Sequence, residues 1–309
     1  MMLEINHLYK KFKKKSVLDD LNLLIEDNEI FGFVGPNGAG KTTTMRIIAG
    51  LLVPDDGEVI WNGKNVTLNA DEVRRNIGYM PDFFGAYPNI KTCEYMEYFA
   101  SLCGFVGNDV NKRCDELLEL VNLIDKKDAM VDTFSRGMKQ RLCMARSLIH
   151  DPQLLILDEP ASGLDPRARF EMKEIMKTLC QMGKTVIISS HILPELAQMT
   201  TTIGVIERGK IIIKGTMDEL LNSNKRAARI NINVVSGMDN AVSVLRKMDK
   251  VDCMSIMDNI CSFEYIGDDN DKAYLIKTLV DNDVLISSFV QEKNDIEQVF
   301  IELTNKEGI

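Results

Sequence analysis

The sequence has no apolar run approaching the roughly 20 residues that a membrane-spanning helix requires. Its opening residues, broken by Glu4, His7 and Lys10, also lack the continuous apolar segment of a secretion signal. A soluble chain that stays inside the cell is therefore expected. The cysteines are too few and too scattered for a stapled scaffold. There are seven, an odd number, at positions 93, 103, 114, 143, 180, 253 and 261, and none forms a CxxC pair. That spacing fits neither a disulfide framework nor a zinc site, and it suits a reducing compartment. Positive charge is also short: 37 Lys and Arg face 46 Asp and Glu, a formal net charge of -9. Nucleic-acid binding rewards an excess of cations through counterion release, so no nucleic-acid partner is expected. Low-complexity tracts are missing too, which leaves no compositional case for disorder.

What remains is a globular composition, 45% hydrophobic and 27% charged over 309 residues. That length exceeds one typical core and suggests two units. One local exception to the acidic balance is the run Lys10, Lys11, Lys13, Lys14 and Lys15. It reads either as a solvated loop or as a group placed near phosphates or anionic lipid.

Gly35 to Thr43 reads GPNGAGKTT, which contains G-x-x-x-x-G-K-[ST]. The run Glu29 to Val34 (EIFGFV) before it has strand length. After it, Met45, Ile48, Ala49 and Leu52 recur at helical spacing. Strand, glycine loop and helix in that order let the backbone N–H groups of Gly35, Pro36–Ala39 and Gly40 curl around phosphates, proline excepted. The helix N-terminus points its positive end at the same anion. Lys41 is then expected on the β and γ phosphates, Thr42 on magnesium and Thr43 beside them.

Leu154 to Pro160 reads LLILDEP, a buried strand that ends in two carboxylates. Ligands gather at the carboxyl ends of parallel strands, so Asp158 and Glu159 are expected to face the nucleotide. Asp158 suits magnesium, which takes oxygen ligands. Glu159 is placed to polarise the water that attacks the γ-phosphate. Val186 to His191 (VIISSH) repeats the layout, with His191 open to a structural or a functional role.

Phe134 to Leu142 reads FSRGMKQRL and precedes LLILDEP; Ala161 to Pro166 (ASGLDP) follows it, and His191 lies beyond. Several independent motifs in this order resemble the ATP-binding cassette (ABC) family, over about the first 220 residues. The resemblance implies an α/β P-loop NTPase fold of ABC type, with a mixed central sheet, an antiparallel β subdomain and a helical subdomain at about 87–150. It implies ATP and magnesium as ligands, with Glu159 and His191 catalytic. Ser135 and Gly137 would form a signature that binds the γ-phosphate held by a second ATP-binding subunit, a copy of the same chain. That role is physically intelligible, because Ser135 can cap a helix carrying Met138, Leu142 and Ala145. Asp165 would sit in the loop linking the two sites. Phe12 stands where the family stacks an aromatic on adenine; a core phenylalanine is the other reading.

The resemblance also implies a multi-spanning permease on a separate chain, which would hold the motor at the cytoplasmic face of the membrane. The helical subdomain would dock on it, although a plain core-covering layer has the same pattern. Two positions depart from the family. Phe134 and Arg136 stand where the signature usually has Leu and Gly. Asp82, after Ile77 to Pro81 (IGYMP), stands where a Gln is usual, and offers a full charge in place of a neutral carbonyl.

Beyond a hairpin over Ile203 to Lys214 that turns at Arg208 and Gly209, a linker is expected near Asn222 to Asn224. This puts an ATP-binding domain at 1–221 and an accessory domain at 222–309. The second domain's pattern is βαββαβ: Ile230, Ile232 and Val234; Val242, Leu245 and Met248; strands through Ile256 and Phe263; Leu275, Ile276 and Leu279; Val284 and Ile286. That order suggests a small α+β ferredoxin-like unit that regulates, dimerises or stabilises. A last helix is expected with Ile296, Val299, Phe300 and Leu303 on one face after an Asp295 cap. Its text, IEQVFIELT, resembles the tail of the bacterial exporter branch. A soluble ABC ATPase acting on ribosomes or DNA is the alternative, disfavoured by a single cassette, acidic charge and no coiled-coil insertion. A small-molecule kinase would leave FSRGMKQR unexplained.

Overall fold

A computed structural model of the chain describes residues 3–83, 85, 89–223 and 228–291. It divides into two compact units, Met1–Met217 and Asp218–Ile309.

In the first unit, β1 (Leu3–Phe12) and β2 (Lys15–Ile25) form a hairpin. The chain then enters β3 (Ile30–Val34), the phosphate loop and the helix Lys41–Ile48, before β4 (Asp56–Trp61) and β5 (Lys64–Asn65) rejoin the hairpin. These strands make an antiparallel sheet in the order β2-β1-β4-β5. The remaining strands, β6 (Ile77–Met80), β7 (Leu154–Leu157), β8 (Thr185–Ser190), β9 (Thr202–Glu207) and β10 (Lys210–Gly215), join β3 in a second sheet. Its order is β10-β9-β3-β8-β7-β6, parallel except for the β9/β10 hairpin. That hairpin turns at Arg208 (φ 46) and Gly209 (φ 81), the left-handed pair that a tight two-residue turn requires.

Every residue of β3, β7 and β8 is buried, as their unbroken apolar runs demand of strands covered on both faces. One core cluster joins the two sheets: Leu3, Ile5, Leu8 and Trp61 from the antiparallel sheet, Phe31, Phe33, Ile156 and Ile187 from the mixed one, and Met45, Ile47 and Ile48 from the loop's helix. The helix that follows the loop is thus anchored in the core that both sheets share.

The stretch between β6 and β7 is helical, with helices Thr92–Leu102, Asn108–Leu120 and Arg136–Ser147. Cys114, Leu117, Leu118 and Val121 are all buried, as their spacing predicts. Arg141 is nearly buried but not isolated. It donates to Val121 O at 3.0 Å and meets Glu171 at 3.2 Å, which offsets the cost of desolvating its charge.

The second unit follows the βαββαβ order: β11 (Ala228–Ser236), the helix Met238–Leu245, β12 (Val251–Met257), β13 (Ile260–Tyr265), the helix Asp269–Asp281 and β14 (Leu285–Gln291). The strands are antiparallel, in the order β12-β13-β11-β14. Ile230, Ile232, Val234, Leu245, Phe263, Leu275 and Leu279 fill its core. Asn222 and Ser223, read as linker, end a helix, Met217–Ser223, with Asp218 and Glu219 in its favourable first turn. The helix expected over Ile296, Val299, Phe300 and Leu303 lies outside the described residues.

Candidate active site

The loop Gly35–Gly40 leaves the carboxyl end of β3 and is held by backbone. Ala39 N donates to Pro36 O at 3.1 Å, Gly209 N to Ala39 O at 2.9 Å, and Asp19 N to Gly209 O at 3.1 Å. Glycine is required at two points. Gly40 has φ 116, and a Cβ on Gly35 would collide with the carbonyl oxygen of Ile206. Lys41 is only 7% exposed and donates to Gly35 O at 2.6 Å and Pro36 O at 3.2 Å. Burial pulls its pKa below the ordinary lysine value, against the opposing pull of Glu159 and Asp158.

Above the loop is a cleft of about 380 Å³, a size in the usual range for small-molecule sites. Its lining brings together Phe12, Asn37, Gly38, Gly40, Lys41, Thr42, Thr43, Asp82, Asp158 and Glu159. Gly35, Pro36 and Ala39 shape the loop without lining the cleft. Phe12 is no core residue: it is 48% exposed, with the Lys10 ammonium 5.7 Å from its ring centroid.

Asp158 and Glu159 are set by a bridge between β7 and β8. Ser189 Oγ donates to Asp158 Oδ1 at 2.6 Å and accepts from Glu159 N at 2.9 Å. Glu159 takes a left-handed backbone, φ 51, uncommon outside glycine and Asn/Asp. His191 Nδ1 lies 3.1 Å and 3.2 Å from its two carboxylate oxygens. His191 therefore stands on the carboxylate, not in a core. Burial is the largest influence on Glu159 and raises its pKa above the ordinary 4.5, while His191 and Lys41 pull it down. A base must be ionised, so any turnover in which Glu159 serves as the base should fall as pH drops through this raised pKa. Turnover number against pH checks the position of that acid limb, which should stand above 4.5.

Ser135 and Gly137 do not line this cleft. Ser135 Oγ accepts from Met138 N at 3.3 Å and so caps the helix Arg136–Ser147. A Cβ on Gly137 would lie 2.8 Å from Ala168 Cβ, so this helix packs tightly on the helix Pro166–Gln181, which Asp165 caps at 2.8 Å through Ala168 N. Phe134 is buried, and Arg136 lies across Gly163, where a Cβ would sit 2.5 Å from Nη1. The extra bulk at these two positions is thus directed into the core and onto the neighbouring loop. Two site residues escaped sequence reasoning, Ser189 and Val17, while Lys15 was read only as one of a basic run placed either in solvent or near phosphates or anionic lipid. Ser189 stands inside the quoted VIISSH, but its partners arise only from the pairing of β7 with β8. Val17 gave no signal.

A family model described as ABC transporter matches residues 18–162. Over the whole chain, the uncharacterized ABC transporter ATP-binding protein YcbN of Bacillus subtilis (strain 168) is 36% identical, the match covering 100% of this chain and 98% of that protein. The chain belongs to the ABC transporter ATP-binding proteins. The linearmycin resistance ATP-binding protein LnrL of the same organism is 31% identical, over 99% of each chain. Among solved structures, a dimeric ATP-binding cassette in a post-hydrolysis state, bound to ADP and Pi, aligns with TM-score 0.63 and 25% identity, over 70% of this chain and 98% of that one. The cassette described here is accordingly an ATP-binding, ATP-hydrolysing transporter subunit, and a role on ribosomes or DNA is not favoured. Among the described residues of this ABC subunit, no helix is long and apolar enough to cross a membrane.

Proposed function

We propose that the chain is the motor of an exporter, in which two copies close around two ATP molecules and a permease on a separate chain carries the cargo. The observation that carries this reading is the meeting of Lys41, Thr42, Asp158 and Glu159 in one cleft, with His191 on the Glu159 carboxylate. Residues 1–221 would act as the ATP-binding domain and 222–309 as an accessory domain.

In this reading the loop amides from Asn37 to Thr43 and the Lys41 ammonium hold the phosphates, and Phe12 stacks on the base. Thr42 and Asp158 offer the hard oxygen donors that magnesium takes, and Asp158 keeps a carboxylate oxygen beyond the one Ser189 occupies. When bound there, magnesium would neutralise charge on the phosphates. Glu159 takes a proton from the attacking water as its oxygen bonds to the γ-phosphorus. The bond from that phosphorus to the β-phosphate oxygen breaks, releasing ADP and phosphate. His191 orients Glu159 and reaches the γ-phosphate. Asp82 faces the same cleft and adds a charge that must be offset there. Ser135 and Gly137 lie outside the cleft of their own chain, which suits a helix end that serves the phosphate held by a second copy.

Export is supported by the whole-length similarity to a linearmycin resistance protein, since resistance by transport requires outward movement. The net charge of -9 supports a protein partner and no nucleic acid. The motor would then sit at the cytoplasmic face of the membrane. The test is affinity purification of the tagged chain from detergent-extracted native membranes with ATP and magnesium. A multi-spanning protein in near-equal amount is expected; ribosomal proteins or DNA in its place would overturn the proposal.

A further inference from the structure

The fold splits the basic run at the N-terminus. Lys10 turns back onto Asp55 at 2.7 Å and Val53 O at 2.8 Å, so its charge is spent. Lys13, with φ 56, and Lys14 make the two-residue turn between β1 and β2. Lys15 is placed differently. It pairs across the hairpin with Phe12, and both line the cleft. Val17, two residues along the same strand and so on the same face, lines it too. Among the described residues, the Lys15 side chain has no hydrogen-bonding or ion-pair partner.

The cleft therefore has two cationic walls. Lys41 is buried and already engaged with the loop carbonyls, on the side where Asp158 and Glu159 stand. Lys15 comes instead from the hairpin that also carries the aromatic ring, with its ammonium uncommitted. We propose that Lys15 binds the nucleotide's phosphate chain from the hairpin wall, at the oxygens that ATP and ADP share. It is a ground-state binding residue: its contact is made equally before and after the γ-phosphate leaves. An interaction of that kind changes KM and leaves the rate of the chemical step in place. It also holds ADP as tightly as it holds ATP, so it sets how long product stays in the site.

The inference rests on the nucleotide reading of the cleft, and calorimetric titration of the full-length protein with ATP, ADP and adenosine separates the two. For Lys15→Gln, ATP and ADP should each bind at least about tenfold more weakly, the loss of one charge-assisted hydrogen bond, with adenosine unaffected. The salt dependence of ADP binding should flatten. Lys14→Gln makes the same charge change one residue away, outside the cleft lining, and should leave all three affinities as they were. Unchanged ADP affinity in Lys15→Gln overturns the inference, as does an equal loss for adenosine, which would place Lys15 on the base. A loss for ATP without one for ADP overturns it as well. Wild-type protein that binds neither nucleotide would refute the nucleotide reading itself; normal wild-type binding with an indifferent variant refutes the role of Lys15 alone.

Discussion

Glu159→Gln should bind ATP at close to the wild-type affinity, lose on the order of 10²- to 10⁴-fold in turnover, and accumulate as a nucleotide-dependent dimer. The amide keeps the length of the side chain and an oxygen for His191, whose ring nitrogen lies 3.1 Å from the carboxylate. It cannot take a proton from water. Steric fit, the Ser189 contact to the backbone N–H and the phosphate cradle all survive the change, so the variant separates binding from chemistry. The substitution also removes a desolvated charge, whose raised pKa shows that the site disfavours the ionised form. No fall in stability is expected. Steady-state phosphate release and size-exclusion chromatography with and without ATP read the outcome. A variant that hydrolyses ATP at the normal rate would remove Glu159 from the reaction.

Lys41→Ala should fail at the earlier step, with ATP affinity lowered on the order of 10²-fold, the loss of a charged donor on the phosphates. The size of the effect follows from burial. At 7% exposure the Lys41 ammonium is poorly hydrated, and its charge is held by two loop carbonyls, so little solvation has to be stripped away when a phosphate approaches. The protein should still fold. Gly40 O keeps its bonds from Thr44 N at 2.9 Å and Thr44 Oγ1 at 3.0 Å, and Ala39 O keeps Gly209 N. Calorimetric titration with ATP, alongside a thermal melt, distinguishes lost binding from lost structure. Near-normal affinity would mean that the amides alone carry the phosphates.

Local text made much of this site legible. A strand that must be buried on both faces announces itself by an unbroken apolar run, so EIFGFV and LLILDEP located β3 and β7 and the groups at their ends. Ser135 was readable as a cap because a cap acts on residues three positions away. The second domain's order could be read from alternating periods, since each element buries one face. What escaped was long-range. Ser189 matters only because β8 lies beside β7, 31 residues away in sequence from Asp158. Lys15 was indistinguishable from its neighbours, since five lysines in a row of six look alike until a hairpin decides which one faces the cleft. Asn222 and Ser223 looked like linker because polar residues favour loops, yet Asp218 and Glu219 had already started a helix.

A hydroxyl has a single hydrogen, and that of Ser189 is committed to Asp158, which leaves only its lone pairs for the Glu159 amide. The rotor is thereby locked by its two neighbours. Any cation that draws electron density from Asp158 weakens that carboxylate as an acceptor and loosens the same oxygen's hold on the next peptide unit. Asp158 and the Glu159 backbone are consequently geared together through one oxygen atom, so with the roles proposed above, charge gathered on the first would be felt as slack in the backbone that aims the second.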